Sequence, residues 1–388
     1  MMNQDSKKAP VLRFKGFSDD WEQRTFLQLI RRVTKQVQDN NLLNVTFDDI
    51  KAGEGKLLTP FKKLSSGKQG THFYPTNILF GKLRPYLDNR LLANFEGSAV
   101  GDFWVFEVKE NSDSNFLFSL IQTSRFKYIS NLSSGSKMPR SDWNLVSNSK
   151  FKVPGMNEQN KIGLLINALD YENTLQQRKL EQIDSLKNTV VATLFENKKT
   201  WSKVNLKDIS EISSGANVDS RHSKGSFKIT RIETISSGVL NEEKLGYTNE
   251  KIDNKYLLKK GDILFSNINS LKHIGKTALA TSCEDIYQGM NLLRIRPNIQ
   301  KVDPTYLFTF LNLPETLAWS QRFANPAVNQ ASINKTQVSK MPIYLPSLAE
   351  QIEIKNIVTK IDSYIYNLNK NIQNLKQTKN FLLQNMFI

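Results

Sequence analysis

Residues 153–177 read VPGMNEQNKIGLLINALDYENTLQQ, and residues 345–369 read LPSLAEQIEIKNIVTKIDSYIYNLN. The second stretch repeats the plan of the first 192 residues later, with Pro154, Glu158, Gln159, Ile162 and Asp170 recurring as Pro346, Glu350, Gln351, Ile354 and Asp362. Proline cannot sit inside a helix, so each copy predicts a helix opening just after Pro154 or Pro346. Glu158 and Glu350 then fall near the positive end of the helix dipole. In the first copy, the run from Asn157 to Asn197 holds no proline and one glycine.

Alternating steps of three and four trace one stripe along each helix. In the first copy it comprises Ile166, Leu169, Asn173, Gln176, Leu180, Ile183, Lys187, Val190 and Leu194. In the second it comprises Val358, Ile361, Ile365, Leu368, Ile372, Leu375, Lys379, Leu382 and Met386. Fourteen of these eighteen are apolar in a chain that is 39% hydrophobic, which reads as a coiled-coil seam. Both copies place a lysine at the same seam position, a place where the pair would end or meet another chain. At about 1.5 Å per residue each helix spans roughly 50–60 Å.

The duplication extends beyond the helices. Trp21 opens WEQRTFLQLI and Trp201 opens WSKVNLKDIS, 180 residues on, and Ile78-Leu79-Phe80 recurs as Ile263-Leu264-Phe265 at 185. The drift from 180 to 185 to 192 places extra loop residues in the second half. A period this long is a duplicated domain rather than a solenoid unit. The expected division is 1–20 as a leader, 21–153 and 199–345 as two variable domains, and 154–198 and 346–388 as the two helical spacers.

Each variable domain reads as mixed α and β. Asn77–Phe80, Phe103–Val108, Lys228–Ile232 and Leu292–Arg296 have strand character. Asn115–Ser130 and Thr305–Phe323 carry apolar residues at helical spacing. The connections KLSSGKQGTHF (63–73), SSGSKMPRSD (133–142), SSGANVDSRHSKGS (213–226) and FANPAVNQASINK (323–335) are rich in amide, hydroxyl and basic groups. Such groups bond base edges and phosphates.

Charge points the same way. The chain of 388 residues carries 53 Lys and Arg against 37 Asp and Glu, a net +16. A protein this basic most often meets a polyanion. The excess concentrates in residues 51–100, with 8 basic and 3 acidic side chains, and in 251–300, with 8 and 4. The candidate DNA contacts are Lys68, Gln69, His72, Lys82, Arg84, Lys137 and Arg140 in the first domain. In the second they are His222, Lys224, Arg231, Lys272, His273, Lys276, Asn329 and Gln330. Arginine or lysine can engage guanine, and asparagine or glutamine adenine. Most basic residues will hold phosphates instead.

Other chemistry finds little footing. The lone Cys283 excludes a disulfide scaffold and a cysteine-rich zinc site, and it fits a reducing cytosol. Gly275-Lys276-Thr277 lacks the earlier glycine of a phosphate loop, since that position is Ser270. His72, His222 and His273 have no metal-site spacing. The N-terminus lacks an apolar signal-peptide core, and no run of 18 apolar residues occurs, so a cytoplasmic protein is expected. The reading expects no catalytic residue, no metal and no cofactor in this chain.

Two globular domains on a paired helical rod would reach two short DNA sequences separated by a fixed spacer, since grooves recur about every 34 Å. If the helices run antiparallel, a pseudo-twofold axis relates the halves. At this point the sequence resembles the specificity subunit of a type I restriction–modification system. The resemblance rests on VLRFKGFSDDW (11–21), on NILFGKLRPYL and DILF inside the variable domains, and on P-x₃-EQ opening each long helix. It implies an α+β chain with two mixed α/β target recognition domains, each reading half of a bipartite DNA site. It also implies an antiparallel coiled coil that sets their spacing and docks two methyltransferase subunits. Motor–nuclease subunits would complete the complex, and S-adenosylmethionine, ATP and Mg would belong to those partners. One departure is the loop before each long helix, which carries Gly135-Ser136 in the first half and Asn325-Pro326-Ala327 in the second. The alternative reading is a coiled-coil interaction protein whose basic loops bind RNA or another acidic partner. A stand-alone nuclease is a third.

Overall fold

A computed structural model of the chain describes residues 9–132, 137–196, 198–235, 238–327 and 330–388. It divides into two compact units, one holding residues up to Leu180 together with Asn367–Ile388, the other holding Glu181–Tyr366. Each unit thus contains one variable domain, part of the first long helix (Met156–Leu194) and part of the second (Leu348–Asn385).

In the first unit, the alternating apolar run FWVFEV becomes the strand Phe103–Val108 at the centre of a four-stranded sheet. Its neighbours are Ile30–Val33 on one side and Ile78–Gly81 on the other, with Arg90–Leu92 outermost, all antiparallel. A ribbon of Glu22–Thr25 and Lys150–Val153 closes the domain, pairing Glu22 with Val153. Phe26, Phe80, Phe106, Phe116 and Phe126 fill the core, and each such ring withheld from water contributes about 1.5–3 kcal/mol. Ile162 of the first long helix and Met386, just past the end of the second, enter the same core.

The second unit repeats that sheet order with Ser210–Ser214, Leu292–Pro297, Ile263–Ser266 and Thr277–Leu279. The registers agree: Phe80 faces Arg90 as Phe265 faces Thr277. The ribbon returns as Ser202–Asn205 against Pro342–Leu345. Phe195, Tyr306, Phe310, Ile354 and Val358 share its main core. The outer strands differ. The first unit has a second four-stranded sheet, whereas the second unit has two three-stranded ones.

The repeated Gln159 and Gln351 explain why each long helix starts where it does. Gln159 Nε2 donates to the Pro154 carbonyl at 2.9 Å, while its Oε1 accepts from the Asp113 backbone N–H at 2.9 Å. Gln351 does the same to Pro346 at 3.0 Å and Asp303 at 2.9 Å. Asp113 and Asp303 in turn cap the short helices Ser114–Leu120 and Pro304–Leu311. One buried amide therefore welds a domain helix to a spacer helix in each half.

The repeated glutamates have different partners. Glu158 is buried and gripped by Arg13 through two bonds of 2.7 and 2.8 Å. Glu350 instead closes a capping box with Ser347, accepting from its N–H at 3.0 Å and its hydroxyl at 2.8 Å.

Three sequence expectations need correction. The helix expected over Asn115–Ser130 is two, Ser114–Leu120 and Ser124–Asn131, because Thr123 stops one and caps the next through the Phe126 N–H. Thr305–Phe323 likewise splits into Pro304–Leu311 and Pro314–Arg322, since Pro314 cannot continue a helix but can begin one. The strand expected over Lys228–Ile232 ends at Ile229, and Ile232–Ile235 turns as a 3₁₀ helix. Thr234 Oγ1 accepts from the Arg231 N–H at 2.8 Å and tightens that turn.

All eighteen seam side chains are buried or half-buried. The seam lysines do not face outward. In the first unit, Lys379 Nζ bonds both carboxylate oxygens of Asp170, at 2.5 and 2.7 Å. In the second, Lys187 meets Asp362. The repeated aspartate of one long helix is thus the partner of the repeated lysine of the other. Among the described residues no helix is long and apolar enough to cross a membrane.

Candidate nucleic-acid interface

The central strand Ile78–Gly81 leads into a turn that carries Lys82 and Arg84. The segment before the Trp143–Asn148 helix is laced to this turn. Arg84 N–H donates to the Pro139 carbonyl at 2.8 Å, and Ser141 N–H to the Lys82 carbonyl at 2.9 Å. Asp102 gathers the side chains, lying 3.6 Å from Lys82 Nζ and 3.0 Å from Arg140 Nη2. Lys137 is exposed three residues before Arg140. Lys82, Arg84 and Arg140, distant in sequence, therefore form one basic surface. Arg84 at φ +48° and Asp88 at φ +56° bracket the Pro85–Leu87 turn. Left-handed backbone at a residue with a side chain costs on the order of 1 kcal/mol each. The turn between them holds Tyr86 exposed.

The other first-domain candidates lie on a different sheet. Buried Asn44 pins the Lys68 backbone, donating to its carbonyl at 3.1 Å and accepting from its N–H at 2.9 Å. The Lys68 and Gln69 side chains are left exposed. His72 is buried in the strand Gly70–Phe73, with Nε2 2.8 Å from Glu96 Oε1 and its ring tilted against Tyr74. Its imidazole is engaged inside the domain rather than offered at the surface.

The second domain builds its surface at the equivalent turn. Lys272, His273 and Lys276 follow the strand Ile263–Ser266, anchored by the fully buried Ile274. Ser270 Oγ lies 3.1 Å from His273 Nδ1. Gly275 at φ +84° reverses the chain, and the Ser266 N–H reaches the Lys276 carbonyl at 2.8 Å. Gly275-Lys276-Thr277 is thus a hairpin return into a strand, with buried Thr277 accepting from Asn312 Nδ2 at 2.7 Å. The strands Asn325–Pro326 and Ala331–Ser332 pair with each other, and the latter with Ile268–Asn269. This pairing carries exposed Gln330 to the same turn. Asn329 and the pair Gly135-Ser136 lie outside the described residues.

His222, Lys224 and Arg231 sit elsewhere, around the Gly246–Thr248 strand. Tyr247 N–H donates to the His222 carbonyl at 3.2 Å. Arg231 lines a cleft of about 460 Å³ with Arg221, Asp219 and Asn291, and its Nη2 donates to the Lys244 carbonyl at 3.2 Å. Arg221, which loop composition alone did not single out, clamps Asp219 through two bonds of 3.0 and 2.9 Å. That hydrogen bonding holds the Asp219 carboxyl well below the usual range. Asp102 was missed for the same reason: its role is to gather cations brought from separate segments. Among the described residues, no cluster of three or more His, Cys, Asp or Glu could hold a metal.

The family described as type I restriction modification DNA specificity domain matches residues 88–185 and 198–377, well over half the chain. The MjaX type I restriction enzyme specificity subunit of Methanocaldococcus jannaschii is 39% identical over 209 residues. That alignment takes in 53% of this chain and 48% of the relative, so the chain spans about half the length of the curated protein it matches. A crystal structure of the type I restriction–modification S subunit from M. genitalium aligns over 98% of this chain and 99% of its own, with TM-score 0.64 and 13% identity. A chain from a study of complex assembly and conformational transition of the type I R-M system aligns over 94% and 96%, with TM-score 0.54 and 18% identity. At these identities the structures speak to the fold alone. By its family match, the chain belongs to the type I restriction modification DNA specificity domain family.

Proposed function

We propose that the chain is the sequence-specific DNA-recognition subunit of a type I restriction–modification complex, non-catalytic by itself. Each variable domain reads one half of a bipartite site. Its main contact surface is the turn after the central strand, with Lys82, Arg84, Lys137 and Arg140 in the first domain and Lys272, His273, Lys276 and Gln330 in the second. The observation that carries this reading is the same basic turn at the same sheet position of both domains, each laced to the segment that precedes the last short helix of its domain.

The two long helices form an antiparallel coiled coil that relates the halves by a pseudo-twofold and sets the spacer. Two crossed lysine–aspartate pairs support it. Lys379 meets Asp170 and Lys187 meets Asp362, so a rise of 17 positions along one helix is matched by a fall of 17 along the other. Partners are double-stranded DNA, two methyltransferase subunits on the helices, and motor–nuclease subunits. S-adenosylmethionine, ATP and Mg act in those partners.

The test is a domain exchange. The chain is expressed with methyltransferase subunits, and modified adenines are mapped before and after replacing 199–345 with another family member's equivalent. One half-site should change while the other stays. Both changing together would refute modular reading. Binding should also weaken with salt, and Lys82→Ala should lower all sequences alike and reduce the log–log slope by about one. A flat salt response would refute a phosphate-tracking surface.

A further inference from the structure

The two halves differ at two paired positions, both buried in the first unit, in a way their shared frame makes measurable. In the first unit, Asp88 ends the Pro85–Leu87 turn and takes Arg90 as its ion-pair partner. Arg90 Nη2 donates to Gln122 Oε1 at 3.0 Å. The same oxygen accepts from Lys379 Nζ at 2.6 Å, and Lys379 bonds Asp170. A chain of polar groups therefore runs without a break from the turn, through the sheet and the end of the Ser114–Leu120 helix, to both long helices. Arg90 and Gln122 are almost wholly buried, at 2% and 4% exposure.

Strand register and capping identify the counterparts in the second unit. Arg90 corresponds to Thr277, because both face the phenylalanine of the repeated Ile-Leu-Phe. Gln122 corresponds to Asn312, each standing nine residues after the capping Asp113 or Asp303. There Asn312 is a methylene shorter and donates to the Thr277 hydroxyl at 2.7 Å and the Phe308 carbonyl at 2.7 Å. The charged connector of the first half is replaced by a short neutral one. The lysine–aspartate pair follows suit. Lys379 and Asp170 are 15% and 26% exposed, Lys187 and Asp362 32% and 44%.

We propose that Arg90 and Gln122 are positioning residues that tie the first domain's contact turn, residues 84–88, to the two long helices. The second domain holds its turn from its own sheet through Thr277 and Asn312. The physical ground is that a buried ionic network tolerates no half-made state. Displacing the turn from the helices would take the Gln122 oxygen from one of the two buried cations that share it, Arg90 or Lys379, and leave a desolvated N–H unpaired. The first reader is then set rigidly by the helix frame, and tolerance of an altered spacer resides in the second. The DNA part of this inference rests on the function proposed above.

The experiment uses the full chain with Gln122→Asn, which installs the second domain's residue, and Gln122→Ala. Hydrogen exchange should accelerate by about tenfold at amides 84–92, the loss expected from one charge-assisted hydrogen bond, and remain unchanged at 271–279. In the assembled complex, the Gln122→Asn chain should keep both half-site sequences while its discrimination against a spacer one base pair too long or short falls by about tenfold. Unaltered exchange at 84–92 in Gln122→Asn overturns the tie, even if Gln122→Ala fails to fold. A changed first half-site sequence overturns the positioning role, since it would make Gln122 part of the readout. If the unaltered complex recognises no DNA, the function fails on its own and the exchange measurement still decides the tie.

Discussion

Asp170→Ala and Asp362→Ala remove the same repeated residue from the same helical position, yet they should cost different amounts. In the first unit the change leaves the Lys379 ammonium 15% exposed, with Gln122 Oε1 as its remaining acceptor at 2.6 Å. Burial, the largest influence, already lowers the Lys379 pKa below its usual 10.5, with Asp170 opposing it. Stranding a fully buried charge costs about 3–5 kcal/mol. Partial exposure and the surviving amide contact bring the expectation to about 2 kcal/mol. In the second unit Lys187 is 32% exposed and Asp362 44%, so its pair is solvent-screened and worth about 0.5 kcal/mol. Urea unfolding followed by hydrogen exchange along each long helix would separate the two. Lys379→Met combined with Asp170→Ala should regain most of the loss, because an apolar pair strands no charge. Equal costs at Asp170 and Asp362, or no recovery in the double variant, would refute the argument.

Gln159→Ala should cost about 2–3 kcal/mol, since it leaves the Pro154 carbonyl and Asp113 N–H without their partner, and Gln351→Ala should match it. Thermal melts of the two variants check this, and a loss in one alone would break the equivalence of the welds. Gly163→Ala should destabilise by about 1–3 kcal/mol, because a Cβ there would stand 2.6 Å from the Phe116 backbone nitrogen. Lys355→Ala at the equivalent place loses only a half-exposed pair with Asp303 and should cost under about 1 kcal/mol in the same melts. Arg221→Ala should raise the Asp219 carboxyl titration by carboxyl NMR, while the residue 221 backbone N–H still holds it somewhat below the usual range. In the unaltered protein the depressed pKa stabilises the fold above the usual value of 3.8, and the contribution disappears as pH falls through the lowered pKa. The variant should show a smaller acid-side loss.

The spacing of apolar residues and prolines was enough to mark two long helices and a duplicated frame. Periodicity and proline are local properties, and a 38- or 39-residue helix without a breaker has no competing local structure. The Ile-Leu-Phe strands and the basic character of the loops were legible for the same reason. The breaks at Thr123 and Pro314 were visible only as residues, because a cap acts within three positions and a periodicity window averages over it. What decided the contact surface lay beyond any local signal. Asp102 joins Lys82 to Arg140 across 58 positions of chain, His72 turns inward to Glu96, and Gln330 reaches the Lys272 turn through strand pairing. The fates of the repeated residues were also tertiary. Asp170 and Lys187 stand 17 apart on one helix, too far to touch, and each finds its partner only on the other. Glu158 and Glu350 diverge partly for a local reason, since Ser347 caps Glu350 where the first copy has Gly155, and partly for a tertiary one, since Arg13 covers Glu158 from 145 residues away. A side chain's chemistry is encoded where it stands; its partner is chosen by which distant segments the packed core brings within about 3 Å of it.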